Sequence, residues 1–207
     1  MIRIYFGNIG CGKTTLAVRN FAKEQKLGLF SRLIARFIPS LVKPSSYDYY
    51  YANFENKLSN FSDLQKLGQW TFPEHTYLIV DEAGIEYNNR KFKSMPQEII
   101  AWFKLSRHYK CDVDFISQSW DDIDITIRRL ASEYWYIKKL GPFTMLRRVY
   151  KKVGIDEVTH QIVDFYEFGK LWRIIFGEVN LKIFLRYPYY KYFDSYAKHD
   201  LPVLDIS

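Results

Sequence analysis

The spacing of apolar residues changes several times along the chain, and each change marks an element. Ile2-Arg3-Ile4-Tyr5-Phe6 is a short β-prone run that stops at Gly7. Thr14 to Lys26 contains no Gly or Pro, and Leu16, Ala17, Phe21 and Ala22 fall on a helical period that Gly28 closes. Leu29, Phe30, Leu33, Ile34, Phe37 and Ile38 recur at helical spacing with Arg32 and Arg36 opposite, until Pro39. This predicts an amphipathic insertion near residues 29–45, able to pack on the protein's own core, on a partner or on a membrane surface. Tyr47 to Phe54 is β-prone and reads as a second strand. A polar stretch then carries a short helix near Ser62 to Leu67.

Tyr77-Leu78-Ile79-Val80 is apolar without alternation and ends in Asp81-Glu82, the pattern of a strand buried on both faces of a parallel sheet. Gln97 to His108 fits a helix opened by Pro96. Val113 to Ser117 gives a fourth strand, Ile123 to Leu130 a helix or loop, and Glu133 to Lys138 a fifth strand. Alternating strands and helices predict an α/β fold with a mainly parallel five-stranded sheet flanked by helices. Beyond Gly141-Pro142 the pattern turns β-rich, with strands expected over Thr144 to Val153 and Val158 to Phe168. The expected organisation is a core over 1–140 and a small β-rich C-terminal appendage over 141–207.

Composition refines this picture in two places. The 207 residues are 48% hydrophobic and 26% charged, which excludes disorder as the default state. The net charge of +7 is uneven: residues 1–127 carry 16 Lys/Arg against 14 Asp/Glu, whereas residues 128–192 carry 13 against 6. An excess of this kind suits a polyanion or an anionic membrane surface, and equally a solvated basic face. Two cysteines, Cys11 and Cys111, make neither a disulfide framework nor a metal site, which points to a reducing compartment. The first strand leads straight into a glycine-rich loop with no signal peptide before it, and no apolar run is long enough to span a bilayer. A cytoplasmic location is expected.

The chemistry is concentrated in Gly7-Asn8-Ile9-Gly10-Cys11-Gly12-Lys13-Thr14, a complete G-x-x-x-x-G-K-[ST] between a strand and a helix, followed by Thr15. The glycines let backbone N–H groups converge on phosphates, and the helix N-terminus adds its dipole. Lys13 is expected to reach the β- and γ-phosphates and Thr14 to ligate Mg²⁺. Asp81 is placed to hold the same metal, and Glu82 to orient and deprotonate an attacking water. Gln118, at the end of the fourth strand, is a candidate γ-phosphate sensor. Arg107 is a candidate arginine finger acting on a neighbouring subunit, with an ordinary surface ion pair as the alternative. Cys11 needs no catalytic role, since its backbone N–H does the binding.

Together with that loop, the stretches Val80-Asp81-Glu82-Ala83-Gly84, Leu105-Ser106-Arg107-His108-Tyr109 and Asp114-Phe115-Ile116-Ser117-Gln118, followed by Asp122-Ile123-Asp124, resemble the Zot (zonula occludens toxin) domain. This family of filamentous-phage assembly proteins is similar to the FtsK/HerA-type DNA-pumping ATPases. The resemblance covers residues 1–140 and Tyr190 to Tyr196. It implies an ATPase with bound ATP and Mg²⁺, acting as a homo-oligomer with DNA and other virion-assembly proteins at the inner face of the host membrane. The 207 residues do not run on into the membrane-spanning helix and outer domain usual in such proteins. Association through a partner, or DNA handling in the cytoplasm, is the corresponding expectation.

For DNA, the basic pairs Arg128-Arg129, Lys138-Lys139, Arg147-Arg148 and Lys151-Lys152, interleaved with Tyr134, Trp135, Tyr136 and Tyr150, are candidates to track phosphates. Two other classes share the loop: a small nucleoside or nucleotide kinase, and an interaction protein switched by nucleotide without rapid turnover. An acidic pair closing a buried strand suits water activation better than a kinase.

Overall fold

The computed structural model describes residues 1–25, 46–62, 67–83, 96–155, 162–170 and 180–194. The nine strands among them form one sheet. In chain order they are β1 (Ile2–Phe6), β2 (Tyr49–Ala52), β3 (Asn60–Phe61), β4 (Thr76–Val80), β5 (Asp112–Ser117), β6 (Glu133–Leu140), β7 (Phe143–Ile155), β8 (Ile162–Phe168) and β9 (Leu181–Leu185). The helices are α1 (Lys13–Glu24), α2 (Gln97–Leu105), α3 (Ile125–Leu130) and a closing 3₁₀ turn over Tyr187–Tyr192.

Across the sheet the order is β3-β2-β4-β5-β1-β6-β7-β8, with β9 also paired to β7. The five strands expected from the sequence are the parallel run β2-β4-β5-β1-β6, and the two-residue β3 adds an edge. The β-rich C-terminal strands continue this sheet. Beyond the tight β6–β7 turn at Gly141-Pro142, β7 pairs antiparallel with β6, and its other edge takes β9 along its first half and β8 along its second. Without them β6 would expose a full row of unpaired backbone groups.

Helices cover both faces, and the central strands are apolar on both sides for that reason. Leu16, Ala17 and Phe21 of α1 pack on Tyr5, Tyr77, Ile79, Ile116, Trp135 and Leu146. The alternate residues Ile4, Leu78, Val80, Val113 and Phe115 meet Ile99, Trp102 and Phe103 of α2 and Ile127 of α3. Arg3 is the departure from this apolar pattern. Its guanidinium pairs with buried Asp114, its register neighbour on β5, which also accepts from Tyr77 Oη and, at 3.2 Å, from Asn20 Nδ2 of α1. Burial pushes the Tyr77 phenol well above the usual range. This paired network fastens the helix behind the glycine loop to the sheet.

Helix α2 ends earlier than periodicity suggests. After Leu105 the chain turns through Ser106-Arg107-His108-Tyr109, with Ser106 Oγ donating to Phe103 O at 2.9 Å and Lys110 at positive φ. Asp124 caps α3 by accepting from Thr126 N at 2.6 Å. The amphipathic segment near 29–45 lies outside the described residues, as does most of the helix expected near Ser62 to Leu67.

Candidate functional site

The loop after β1 opens at the edge where the parallel strands end. Gly7 cannot carry a side chain, because a Cβ there would come within 2.3 Å of Ile137 O on β6. Gly12 is held at φ +93 as the N-cap of α1, and a Cβ would stand 2.5 Å from Thr144 Oγ1. These two contacts seat the loop against β6 and β7 and leave its backbone bare for a ligand. Buried Thr144 fastens it further by donating to Cys11 O at 3.0 Å.

Lys13 is 7% exposed, and its Nζ donates to Gly7 O at 3.2 Å and Asn8 O at 3.3 Å. The loop's own carbonyls thus satisfy a buried ammonium and aim it into the concavity. Thr14 Oγ1 donates to Asp81 Oδ2 at 2.7 Å, so the two residues expected to share a metal are neighbours. Asp81 sits at the end of β4, and a reciprocal pair of 2.8 Å bonds with the Asn53 side chain, at the end of β2, holds its backbone. Burial raises the Asp81 carboxyl above the usual aspartate range; the Thr14 hydroxyl opposes that shift. Mg²⁺ takes one or two carboxylates beside phosphate oxygens and water. The hydroxyl–carboxylate pair beside the phosphate loop fits that donor set.

Glu82 adopts φ +50, uncommon for a residue with a side chain and typical of functional sites. Gln118 Nε2 donates to Glu82 Oε2 at 3.0 Å across the ends of β4 and β5. Lys13, Thr14, Thr15, Glu82 and Gln118 line one cleft of about 710 Å³. Cys11, between Gly10 and Gly12 of the loop, is buried in the core beneath α1, and burial pushes its thiol pKa up, which makes it a poor nucleophile.

Arg107 is not brought to this cleft. It lines a separate hollow with Met1, Ile2 and Ser132, where β1 and β6 begin. The phosphate loop follows the opposite end of β1, so Arg107 does not reach the phosphate loop of its own chain.

The rest of the cleft wall comes from residues that the sequence reading did not single out for the site. Arg186, just past β9, reaches Gly141 O, Pro142 O and, at 3.5 Å, Gly10 O. Tyr190 and Phe193, in and beside the 3₁₀ turn, line the same cleft. In the sequence they stand in an aromatic cluster, Tyr187 to Phe193, that overlaps the Tyr190 to Tyr196 part of the resemblance, and their position depends on the remote pairing of β9 with β7.

The basic pairs behave differently. Arg148 lies 3.3 Å from Glu133, Lys151 3.0 Å from Asp164, Lys152 2.6 Å from Glu167 and Arg128 3.4 Å from Asp121. Arg147 stacks over Phe168 at 4.5 Å. Lys138, Lys139 and Arg129 are exposed, with no ion pair among the described residues.

A strand, phosphate loop and helix at the centre of a parallel sheet, with a buried lysine and a strand-end Asp-Glu pair, define a P-loop nucleotide-binding fold. Within that class the chain belongs to the zonular occludens toxin (Zot) family, whose model matches residues 1–199. The match runs through β7, β8 and β9, well past residue 140. Among solved structures, the chain is similar to the N-terminal domain of zonular occludens toxin from Neisseria meningitidis. That likeness has 18% identity and a TM-score of 0.52, over 85% of this chain and 96% of that one. It is also similar to the genome packaging NTPase B204 from Sulfolobus turreted icosahedral virus 2 in complex with ATP-gammaS. There the identity is 13% and the TM-score 0.41, over 79% and 95% of the two chains. No curated protein sequence matches the chain.

Proposed function

We propose that this protein is an oligomeric ATPase that couples hydrolysis to the movement of DNA during virion assembly, packaging or extrusion. The observation that carries the reading is the convergence of Lys13, Thr14, Glu82 and Gln118 on one cleft from three connections at the same sheet edge, with Asp81 hydrogen-bonded to Thr14 behind it. Membership of the Zot family supports the assembly role.

In this reading the loop N–H groups and Lys13 hold the triphosphate, the ammonium exchanging its two carbonyl partners for phosphate oxygens. Mg²⁺ beside Thr14 and Asp81 would supply charge neutralisation on those oxygens. Glu82 takes the proton of the attacking water, and Gln118 fixes its carboxylate in the meantime. Arg107 acts in trans, which requires an assembly that sets the opposite sheet edge of one copy on the cleft of the next. Lys138, Lys139 and Arg129 supply the phosphate-tracking charge. The protein works in the host cytoplasm, at the inner face of the membrane through partners; among the described residues no helix is long and apolar enough to cross it.

The test is ATP hydrolysis by the wild type and Lys13→Ala, each with and without DNA. Wild-type turnover that DNA stimulates and that Lys13→Ala lowers by at least about 100-fold is the expected result. Hydrolysis unchanged in Lys13→Ala sinks the site. Turnover indifferent to DNA removes the motor, phosphate transfer to a nucleoside indicates a kinase, and tight binding without turnover indicates a switch.

A further inference from the structure

The strand order fixes which way a bound nucleotide must point. Along the edge where the parallel strands end, the loops follow the sequence Asp81-Glu82 after β4, Gln118 after β5, then the phosphate loop after β1. On the far side of that loop come β6, β7 and β9, and β9 runs parallel to β1 because it is antiparallel to β7. Its C-terminal end therefore delivers Arg186 and the 3₁₀ turn to the same edge. A triphosphate on the loop with its γ end toward Asp81, Glu82 and Gln118 sends its base in the other direction, past Thr15 and toward β9.

What waits there is aromatic. Tyr190 is 43% exposed and lines the cleft together with Phe193. The two rings stand edge-to-face at 6.3 Å, and Tyr187 supports Tyr190 on its other flank at 6.4 Å. Tyr189, the alternate residue of the turn, packs on buried Phe184 and anchors it. Arg186 ties the start of the turn to the β6–β7 connection and to Gly10 of the loop. The ring array is held in place before any ligand arrives, so little ordering cost opposes stacking.

Resting on the nucleotide-binding reading above, we infer that the 3₁₀ turn is the base-binding wall of the cleft, with Tyr190 as the stacking platform and Phe193 as its support. An aromatic face meets every base alike, because each has a π-face to offer. The wall thus holds the nucleoside without selecting it, and purine nucleoside triphosphates bind with similar affinity. Specificity for adenine is not built into this wall.

Calorimetric titration of ATP, GTP and inorganic tripolyphosphate, each with Mg²⁺, tests this on the wild type, Tyr190→Ala, Tyr190→Phe and Lys13→Ala. Tyr190→Ala is expected to weaken ATP and GTP alike by about tenfold, on the stacking scale. Tyr190→Phe keeps wild-type affinity, and tripolyphosphate, which has no base, binds the wild type and both Tyr190 variants equally. ATP affinity unchanged in Tyr190→Ala overturns the inference, as does an equal loss for tripolyphosphate, which would mean a distorted loop. A wild type that separates ATP from GTP by tenfold or more overturns the claim of base tolerance. The nucleotide-binding reading is judged separately, by whether the wild type binds tripolyphosphate and Lys13→Ala does not. Since Tyr190 is substantially exposed, its truncation removes little core, and an unchanged melting temperature checks that each variant is folded.

Discussion

In the parallel half of the sheet, unlike charges are gathered into one place and kept short of full neutralisation. Lys13 and Asp81 are both 7% exposed; the lysine lines the cleft and rests on neutral carbonyls, and the aspartate rests on the hydroxyl of cleft-lining Thr14. In the antiparallel half, charge is abundant and part of it is settled: Arg148, Lys151 and Lys152 each have a carboxylate on a neighbouring strand, whereas Lys138 and Lys139 stay open. A cluster completed by its own carbonyls and hydroxyls can exchange those weak partners for a phosphate. A cross-strand ion pair has no such vacancy, and its net attraction for a polyanion is close to nil. Counting basic residues along the sequence therefore overstates the second region and says nothing of the first.

The largest effect that separates the two regions is expected at Glu82. Glu82→Gln keeps the side chain's shape while removing the base, so turnover should fall about 10²- to 10⁴-fold with ATP affinity retained. Single-turnover hydrolysis measured beside equilibrium binding checks this. A variant that loses binding in proportion to turnover would make Glu82 a structural closure of β4 instead. The next effect lies in the other half. Lys138→Glu with Lys139→Glu should weaken DNA binding across sequences and flatten the slope of log affinity against log salt by about two. Lys151→Glu with Lys152→Glu should change that slope less, since Asp164 and Glu167 already neutralise those ammoniums. Equal slopes for the two double variants would erase the distinction drawn between settled and open charge.

Much of the parallel half was legible in the sequence because its signals are contiguous. Eight consecutive residues specify the loop, and an uninterrupted apolar run ending in two carboxylates specifies β4 and its load. Asn53 had a weaker signal, a polar residue inside the β-prone run Tyr47 to Phe54, and it proves to follow β2 and hold the Asp81 backbone. Arg186 was out of reach because its contact with Gly10 spans 176 positions and exists only through the pairing of β9 with β7. Arg3 could be misread as the solvent side of an alternating strand; its partner Asp114 is adjacent only in the register of β1 with β5. The Ser106-Arg107-His108-Tyr109 stretch forms the turn that ends α2, away from the cleft of its own chain.

The smallest expected effect sharpens the meaning of unneutralised charge. Burial holds the Asp81 carboxyl pKa above the ordinary aspartate value, so the folded state binds its proton more tightly than the unfolded chain does. Ionised Asp81 therefore costs stability at neutral pH. That cost is fully present above the folded pKa and vanishes as pH falls below the unfolded one. Asp81→Asn removes it, and the nucleotide-free variant should melt above the wild type near pH 7, with the gap closing as pH is lowered toward the ordinary aspartate range. With Mg²⁺ and ATP the order should invert, because only the wild type gains the stabilisation of the metal-bound complex. Melting curves at several pH values, with and without the ligand pair, read both signs. An Asp81→Asn protein less stable than the wild type when empty would mean that the Thr14 hydrogen bond outweighs burial. Asp81 would then be a structural pin of the fold, and the contrast between the two halves of the sheet would rest on Lys13 alone.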